Sequence, residues 1–192
     1  MLTRVPKGTK DVLPAETARL QALEALIREK ARLAGYQEIR TPVFEHTELF
    51  TRSVGESSDV VRKEMYTFLD KGDRSITLKP ESTAGVVRAF LESGLHNQAL
   101  PVKLYYLYSP HFRYEAPQSG RLREHHQFGV ECFGAKEASA DAEVIWIAMD
   151  LFQSLGIQNI TLRINSIGCP VCRPAYKEKL LSYLRAKKEL LC

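Results

Sequence analysis

The sequence predicts an α+β fold, a mainly antiparallel mixed sheet flanked by helices. Two observations carry the prediction. Strand-like runs follow one another through short polar loops, 65–69 to 75–78 and 103–115 to 123–133, which joins neighbours as antiparallel pairs. The helical stretches are few and stand apart from those runs instead of alternating with them. With 192 residues, 44% of them hydrophobic and 26% charged, the chain can build a core. No stretch repeats itself, which sets solenoids aside.

The elements follow in order. Pro14 opens a helix, Glu16 suits its positive end, and Leu20, Leu23, Ile27, Ala31 and Ala34 recur at helical spacing until Gly35. Tyr36 to Phe44 reads as a strand, with Pro42 restricting it to an edge or an irregular end. Thr47 to Val54 is a short helix closed by Gly55. Asp70-Lys71-Gly72-Asp73 has turn chemistry between Met65–Leu69 and Ser75–Leu78, so these form a hairpin. Thr83 is placed to cap a helix with apolar positions Val86, Val87, Phe90 and Leu91, and Gly94 lies past its end. Lys103 to Glu115 and Arg123 to Phe133 are long strands. Ser139 caps an amphipathic helix running to Leu155, and Ile160 to Ile164 returns as a strand. At Gly168 the texture changes to CPVCRP and a basic helix, which reads as a domain boundary.

Lys and Arg exceed Asp and Glu by 27 to 23, a mild excess that allows an anionic partner without requiring one. The longest apolar run, Val144 to Met149, is far short of the roughly twenty residues of a membrane span. Residues 1–14 carry no apolar signal-peptide core. Three of the four cysteines fall at 169, 172 and 192, which is no disulfide framework. The expectation is a cytoplasmic domain with no membrane partner.

The two long strands hold the informative chemistry. Alternate side chains point to opposite faces, so His111, Arg113 and Glu115 share one face of the first arm. Arg123, His125, Gln127, Gly129 and Glu131 share a face of the return arm, opposed by His126, Phe128, Val130 and Cys132. A solvated sheet face is the plain alternative. Two details weigh against it: Gly129 removes a side chain where a ligand could come close, and the residue types suit bidentate recognition. A second cluster, Lys79 to Thr83, stands at a strand-to-helix junction, where helix capping by Ser82 or Thr83 is the competing role. No G-x-G, Walker lysine, G-x-S-x-G elbow or H-E-x-x-H helix is present, so a nucleotide would have to be held by arginines on a sheet.

FRYEAPQSGRLREHHQFGVECFG (112–134) closely resembles motif 2 of class II aminoacyl-tRNA synthetases in its histidyl version. GTKDVLP (8–14), EIRTPVFEHTELFTRSVGE (38–56), TLKPESTAGVVRA (77–89) and INSIG (164–168) resemble the same family in the same order. The resemblance spans essentially the whole chain. It implies residues 1–168 as a class II catalytic core with motifs 1 and 2, and 169–192 as the start of an insertion domain. It implies ATP-dependent, Mg2+-assisted activation of histidine to histidyl-adenylate and transfer to tRNA(His). Arg113 then holds the substrate carboxylate and the α-phosphate as the catalytic arginine. Glu81 and Thr83 take the ammonium group with Gln127 beside them, and Glu131 accepts the imidazole N–H. Arg121 and Arg123 meet the outer phosphates and the tRNA end. The stretch around Pro42 resembles motif 1, which implies a homodimer.

The family pattern goes on to a second substrate-binding segment, motif 3 and an anticodon-binding domain, none of which is in these residues. The chain is therefore expected to be a piece of the enzyme with feeble activity alone. Cys169-Pro-Val-Cys172 is half of a zinc-type pair and Cys192 could open the other half; two reduced thiols are the alternative. The competing functional reading is the synthetase-like regulatory subunit of ATP phosphoribosyltransferase. The intact substrate residues and the INSIGCPVCRP segment stand against it.

Overall fold

The computed structural model describes residues 3–54, 64–114, 116, 118, 120–165 and 168–190. The chain divides into two compact units, Met1–Gly156 and Ile157–Cys192.

In the first unit, helix α1 (Pro14–Leu33) begins with proline at its first turn and ends on Lys30 and Arg32, each suited to the dipole. The expected strand 36–44 is two short strands, β1 (Gln37–Glu38) and β2 (Phe44–His46), separated around Pro42. Proline lacks the N–H a ladder needs, so the chain leaves one sheet there and enters another. Helix α2 (Thr47–Val54) follows; its expected stop, Gly55, lies outside the described residues. Strands β3 (Tyr66–Leu69) and β4 (Ser75–Leu78) form the expected hairpin. The Asp70 carboxylate closes their turn by accepting from the Gly72 and Arg74 N–H groups at 2.8 and 3.0 Å. Helix α3 (Thr83–Glu92), strands β5 (Val102–Phe112) and β6 (Glu124–Phe133), and helix α4 (Ala138–Ser154) complete the unit.

The strands make two three-stranded sheets in place of one, ordered β1-β5-β6 and β2-β4-β3. Only β1 and β5 run parallel. In the first sheet, Tyr105 packs with Ala31, Tyr36 and Ile147 from the α1 and α4 side, joined by Phe128 and Val130. On the opposite face Leu104 and Tyr106 pack on Val86 of α3. Phe90 stacks on Phe133 with centroids 4.1 Å apart. The face with Phe128 and Val130 is thus the α1/α4 face, and the face with Gln127 and Glu131 looks toward α3.

That polar face is built by two local departures from regularity. A bulge between Tyr106 and Ser109 shifts the β5 register, so Leu104, Tyr106, Ser109 and His111 stand opposite Glu131, Gly129, Gln127 and His125. The second is the junction 79–82, which is pinned to the end of β5. The Lys79 N–H donates to the Val43 carbonyl at 2.9 Å, and the Phe112 N–H donates to the Lys79 carbonyl at 3.0 Å. Buried Lys79 donates through Nζ to Ser109 Oγ, and Ser82 Oγ meets His111 Nε2 at 2.6 Å.

Two expectations change here. Neither Ser82 nor Thr83 caps α3 through its side chain, since Ser82 is engaged with His111. The Glu81 carboxylate instead accepts the Ala84 N–H at 3.1 Å. Helix α4 likewise starts at Ala138 with no side-chain cap from Ser139.

In the second unit, helix α5 (Cys172–Ala186) is present, but the expected strand Ile160–Ile164 is not formed. Its apolar alternation favours an extended chain, whereas a strand also needs a ladder partner. Among the described residues it pairs with none.

Two outcomes are expected for stability. His111 is fully buried, and burial, then Lys79 and His125, push its imidazole down to about 3. The unfolded chain therefore takes up this proton first as acid is added. Stability is complete above the ordinary histidine range near 6.5 and falls as pH drops toward 3, by at most about 1.4 kcal/mol per pH unit. Urea midpoints measured between pH 7.5 and 5 should fall more steeply for the chain than for His111→Gln. Equal slopes would refute the assignment. Second, a Cβ on Gly129 would lie 2.2 Å from the Tyr106 ring. Gly129→Ala should cost roughly 1–3 kcal/mol, and much less in a Tyr106→Ala background. An unchanged cost in that cycle would show that the crowding lies elsewhere.

Candidate active site on the face between β6 and α3

Cross-strand pairing places Arg123, His125, Gln127, Gly129 and Glu131 on the face that also carries His111 and Tyr106. Arg113 stands just past β5, where its N–H donates to the Arg123 carbonyl at 2.8 Å. Antiparallel partners share a face, so Arg113 and Glu131 lie on the same side of the sheet. Glu115 lies outside the described residues.

The face has two ends. At one, Arg113, Gly120, Arg121, Leu122, His125 and Gln127 line a cavity of about 210 Å³. The Arg113 Nε donates to the Pro80 carbonyl at 3.2 Å, which fixes the plane of its guanidinium fork. Arg123 takes a different place. Its guanidinium lies 4.3 Å over the Tyr114 ring and donates to the Lys7 carbonyl at 3.4 Å.

At the other end the Thr83 hydroxyl lies beside the Tyr106 hydroxyl and the Glu131 carboxylate. Burial pushes the Glu131 carboxyl up, with Glu81 adding to the effect and the Thr83 bond opposing it. Burial, then Glu131, raises the Tyr106 phenol. Glu81 and Thr83 also line a wide cleft of about 1180 Å³ beside Leu49, Val87 and Leu91. The predicted residues therefore occupy one face in two groups, Arg113, Arg121 and Gln127 in the first and Glu81, Thr83 and Glu131 in the second. A cationic end and a carboxylate end can hold a molecule that carries both charges.

Gly129 does not open room for a ligand as the sequence suggested. The space above it is filled by the Tyr106 ring. Tyr106 was missed because the bulge breaks strand parity; the available signal was an aromatic opposite a mid-strand glycine. Ser82 and Lys79 were read as junction residues, and their bonds to β5 had no local signature.

The cysteine candidates lie in the second unit. Cys169 and Cys172 bring their Sγ atoms to 3.5 Å, and Cys192 lies outside the described residues. Among the described residues, no three His, Cys, Asp or Glu side chains converge as a metal site. No helix among them is long and apolar enough to cross a membrane.

Comparison with known proteins identifies the family. Residues 8–171 match the family model for histidyl-tRNA synthetase. A curated relative from Thermoanaerobacter pseudethanolicus, named histidine--tRNA ligase, is 63% identical over all 192 residues, which cover 46% of its length. The chain thus spans about half the length of the curated relatives it matches. The structure of apo histidyl-tRNA synthetase from S. aureus superposes with a TM-score of 0.76 at 41% identity, covering 100% of this chain and 44% of that one. An ATP phosphoribosyltransferase regulatory subunit/histidyl-tRNA synthetase from Bacillus halodurans gives a TM-score of 0.70 at 29% identity, over 83% of this chain and 40% of that one. With the family model matching most of its length and the α+β core in place, the chain belongs to the histidyl-tRNA synthetase family.

Proposed function

We propose that this chain supplies the histidine- and ATP-binding face of an enzyme that activates histidine and passes it to tRNA(His). The observation that carries the reading is the single face with Arg113 and Gln127 at one end and Glu131, Thr83 and Glu81 at the other. Free histidine is a zwitterion with a donor imidazole. Its ammonium group suits Glu81 and Thr83, its imidazole N–H suits the half-buried Glu131 carboxylate, and its carboxylate suits the Arg113 fork.

Activation joins that carboxylate oxygen to the α-phosphorus of ATP and releases pyrophosphate. Negative charge builds at phosphorus, and a guanidinium already held at Nε by Pro80 offsets it without reorganising. Gln127 stands beside Arg113 at the end that takes the substrate carboxylate, and Arg121 reaches the outer phosphates or the tRNA end. Glu131 selects the side chain, because an acceptor left without its donor penalises analogues. Mg2+ finds no cluster of ligands among the described residues, so no residue is assigned to it and no step depends on it.

We extend the reading to a homodimer through the motif 1 region. Phe44 of β2 and Phe68 of β3 stand exposed on one face of the second sheet, an apolar surface suited to a second copy. The regulatory-subunit alternative is not favoured, since relatives at 56% to 63% identity over the whole chain are named ligases.

The test uses an intact histidine--tRNA ligase in which this chain replaces the corresponding segment. Histidine-dependent exchange of pyrophosphate into ATP should persist. Glu131→Ala should raise the histidine KM roughly tenfold or more, as for a lost hydrogen bond to a charged group. Arg113→Ala should lower kcat on the order of a hundredfold or more. The same histidine-binding defect in both variants, with kcat unchanged, would overturn the division of roles. No exchange in the unsubstituted chimera would overturn the function.

A further inference from the structure

The second unit holds a pair of thiols that the synthetase reading does not use. In Cys169-Pro170-Val171-Cys172 the two Sγ atoms are 3.5 Å apart and both cysteines are exposed. The backbone of the turn is wrapped around the sulfurs. The Cys169 N–H donates to Cys172 Sγ at 3.1 Å. Such a donor disperses thiolate charge and orients the sulfur lone pairs outward. Gly168 makes room for the arrangement. It has φ +81°, and a Cβ there would lie 2.9 Å from Cys172 Sγ. Pro170 sets φ within the turn, and Cys172 opens α5, so its position is fixed by a helix of 15 residues.

The geometry points to a two-thiolate clamp for a thiophilic divalent cation of the zinc class, held by Cys169 and Cys172. A zinc–sulfur bond of about 2.3 Å in a tetrahedral site places two sulfurs about 3.8 Å apart. The observed separation needs only a few tenths of an ångström of adjustment. A disulfide would need the sulfurs to close to about 2.05 Å, a larger movement of both side chains. The two thiolates neutralise the ion, and solvent supplies the other positions at this exposed turn. This site is independent of the proposed aminoacylation chemistry and stands or falls separately.

The test is titration of the 192-residue chain with Co2+, then Zn2+, in a phosphine reductant. To isolate the pair, Cys132 and Cys192 are both replaced by serine. One Co2+ per chain should bind with a sulfur-to-cobalt charge-transfer band, and Zn2+ should displace it. Zn2+ should also shield two thiols from a thiol-reactive dye, a readout that needs no further variant. Cys169→Ser or Cys172→Ser should weaken binding at least tenfold and remove most of the band, with far-ultraviolet circular dichroism unchanged. Absence of the band in the two-thiol chain would overturn the site, as would a band that survives loss of both cysteines. A chain that forms a disulfide with oxidised glutathione but takes up no Co2+ would also overturn it.

Discussion

The docking of residues 79–82 on the end of β5 is the constraint on which the rest of the first unit depends. One segment uses the Lys79 N–H to hold β2's entry at Val43 and the Lys79 carbonyl to receive the Phe112 N–H. The same four residues bond Ser109, His111 and Arg113 through Lys79 Nζ, Ser82 Oγ and the Pro80 carbonyl. The two sheets share no strand, so this junction fixes their mutual placement and aims the start of α3 at the hairpin face. Burial lowers the Lys79 ammonium, and its neighbour His111 stays neutral for the same reason. A buried network of this sort adds little net stability over apolar packing, but losing one member strands the others without partners. Its main contribution is a single geometry.

That geometry separates charge along the face. Glu81 and Glu131 stand near one another at this end, and burial raises the Glu131 carboxyl, with Glu81 adding to the effect. An incoming ammonium group or imidazole N–H would relieve this tension, which gives the carboxylate end a preference for cationic and donor groups. The opposite end has the reverse character through Arg113 and Arg121. Tyr106 stands in the middle, its ring filling the gap over Gly129, so the spacing between the two ends is set by packing.

The parts legible in the sequence are those with local causes. Helix α1 follows from Pro14, its apolar period and Gly35, and the β3–β4 turn follows from Asp70 and Gly72. Strand parity likewise puts Gln127 and Glu131 on one face, as the cross-strand register does. The parts that were not legible depend on distant partners. Ser82 reads as a cap until His111, 29 positions away, takes its hydroxyl. Gly129 reads as open space until the bulge in β5 turns Tyr106 over it. Ile160–Ile164 has a strand's pattern, and pattern alone does not provide a partner. Local chemistry states what a segment can be, and tertiary partners decide among those options.

The arginine end shows how far apart those partners can be. Gly8 has φ +90°, and a Cβ there would strike the Arg123 side chain at 2.7 Å. The glycine carbonyl accepts both the Arg123 and Glu124 N–H groups, at 2.7 and 3.2 Å. Tyr114, under the Arg123 guanidinium, meets Tyr66 edge-on at 5.5 Å, and its N–H donates to the Glu64 carbonyl at 2.7 Å. Segments near residues 8, 65 and 114 therefore converge on one arginine before β6 begins. Arg121, two residues earlier, lines the cavity with Arg113 instead. The two loop arginines thus sit differently: Arg123 anchors the start of β6 to the amino-terminal segment, and Arg121 lines the cavity beside Arg113.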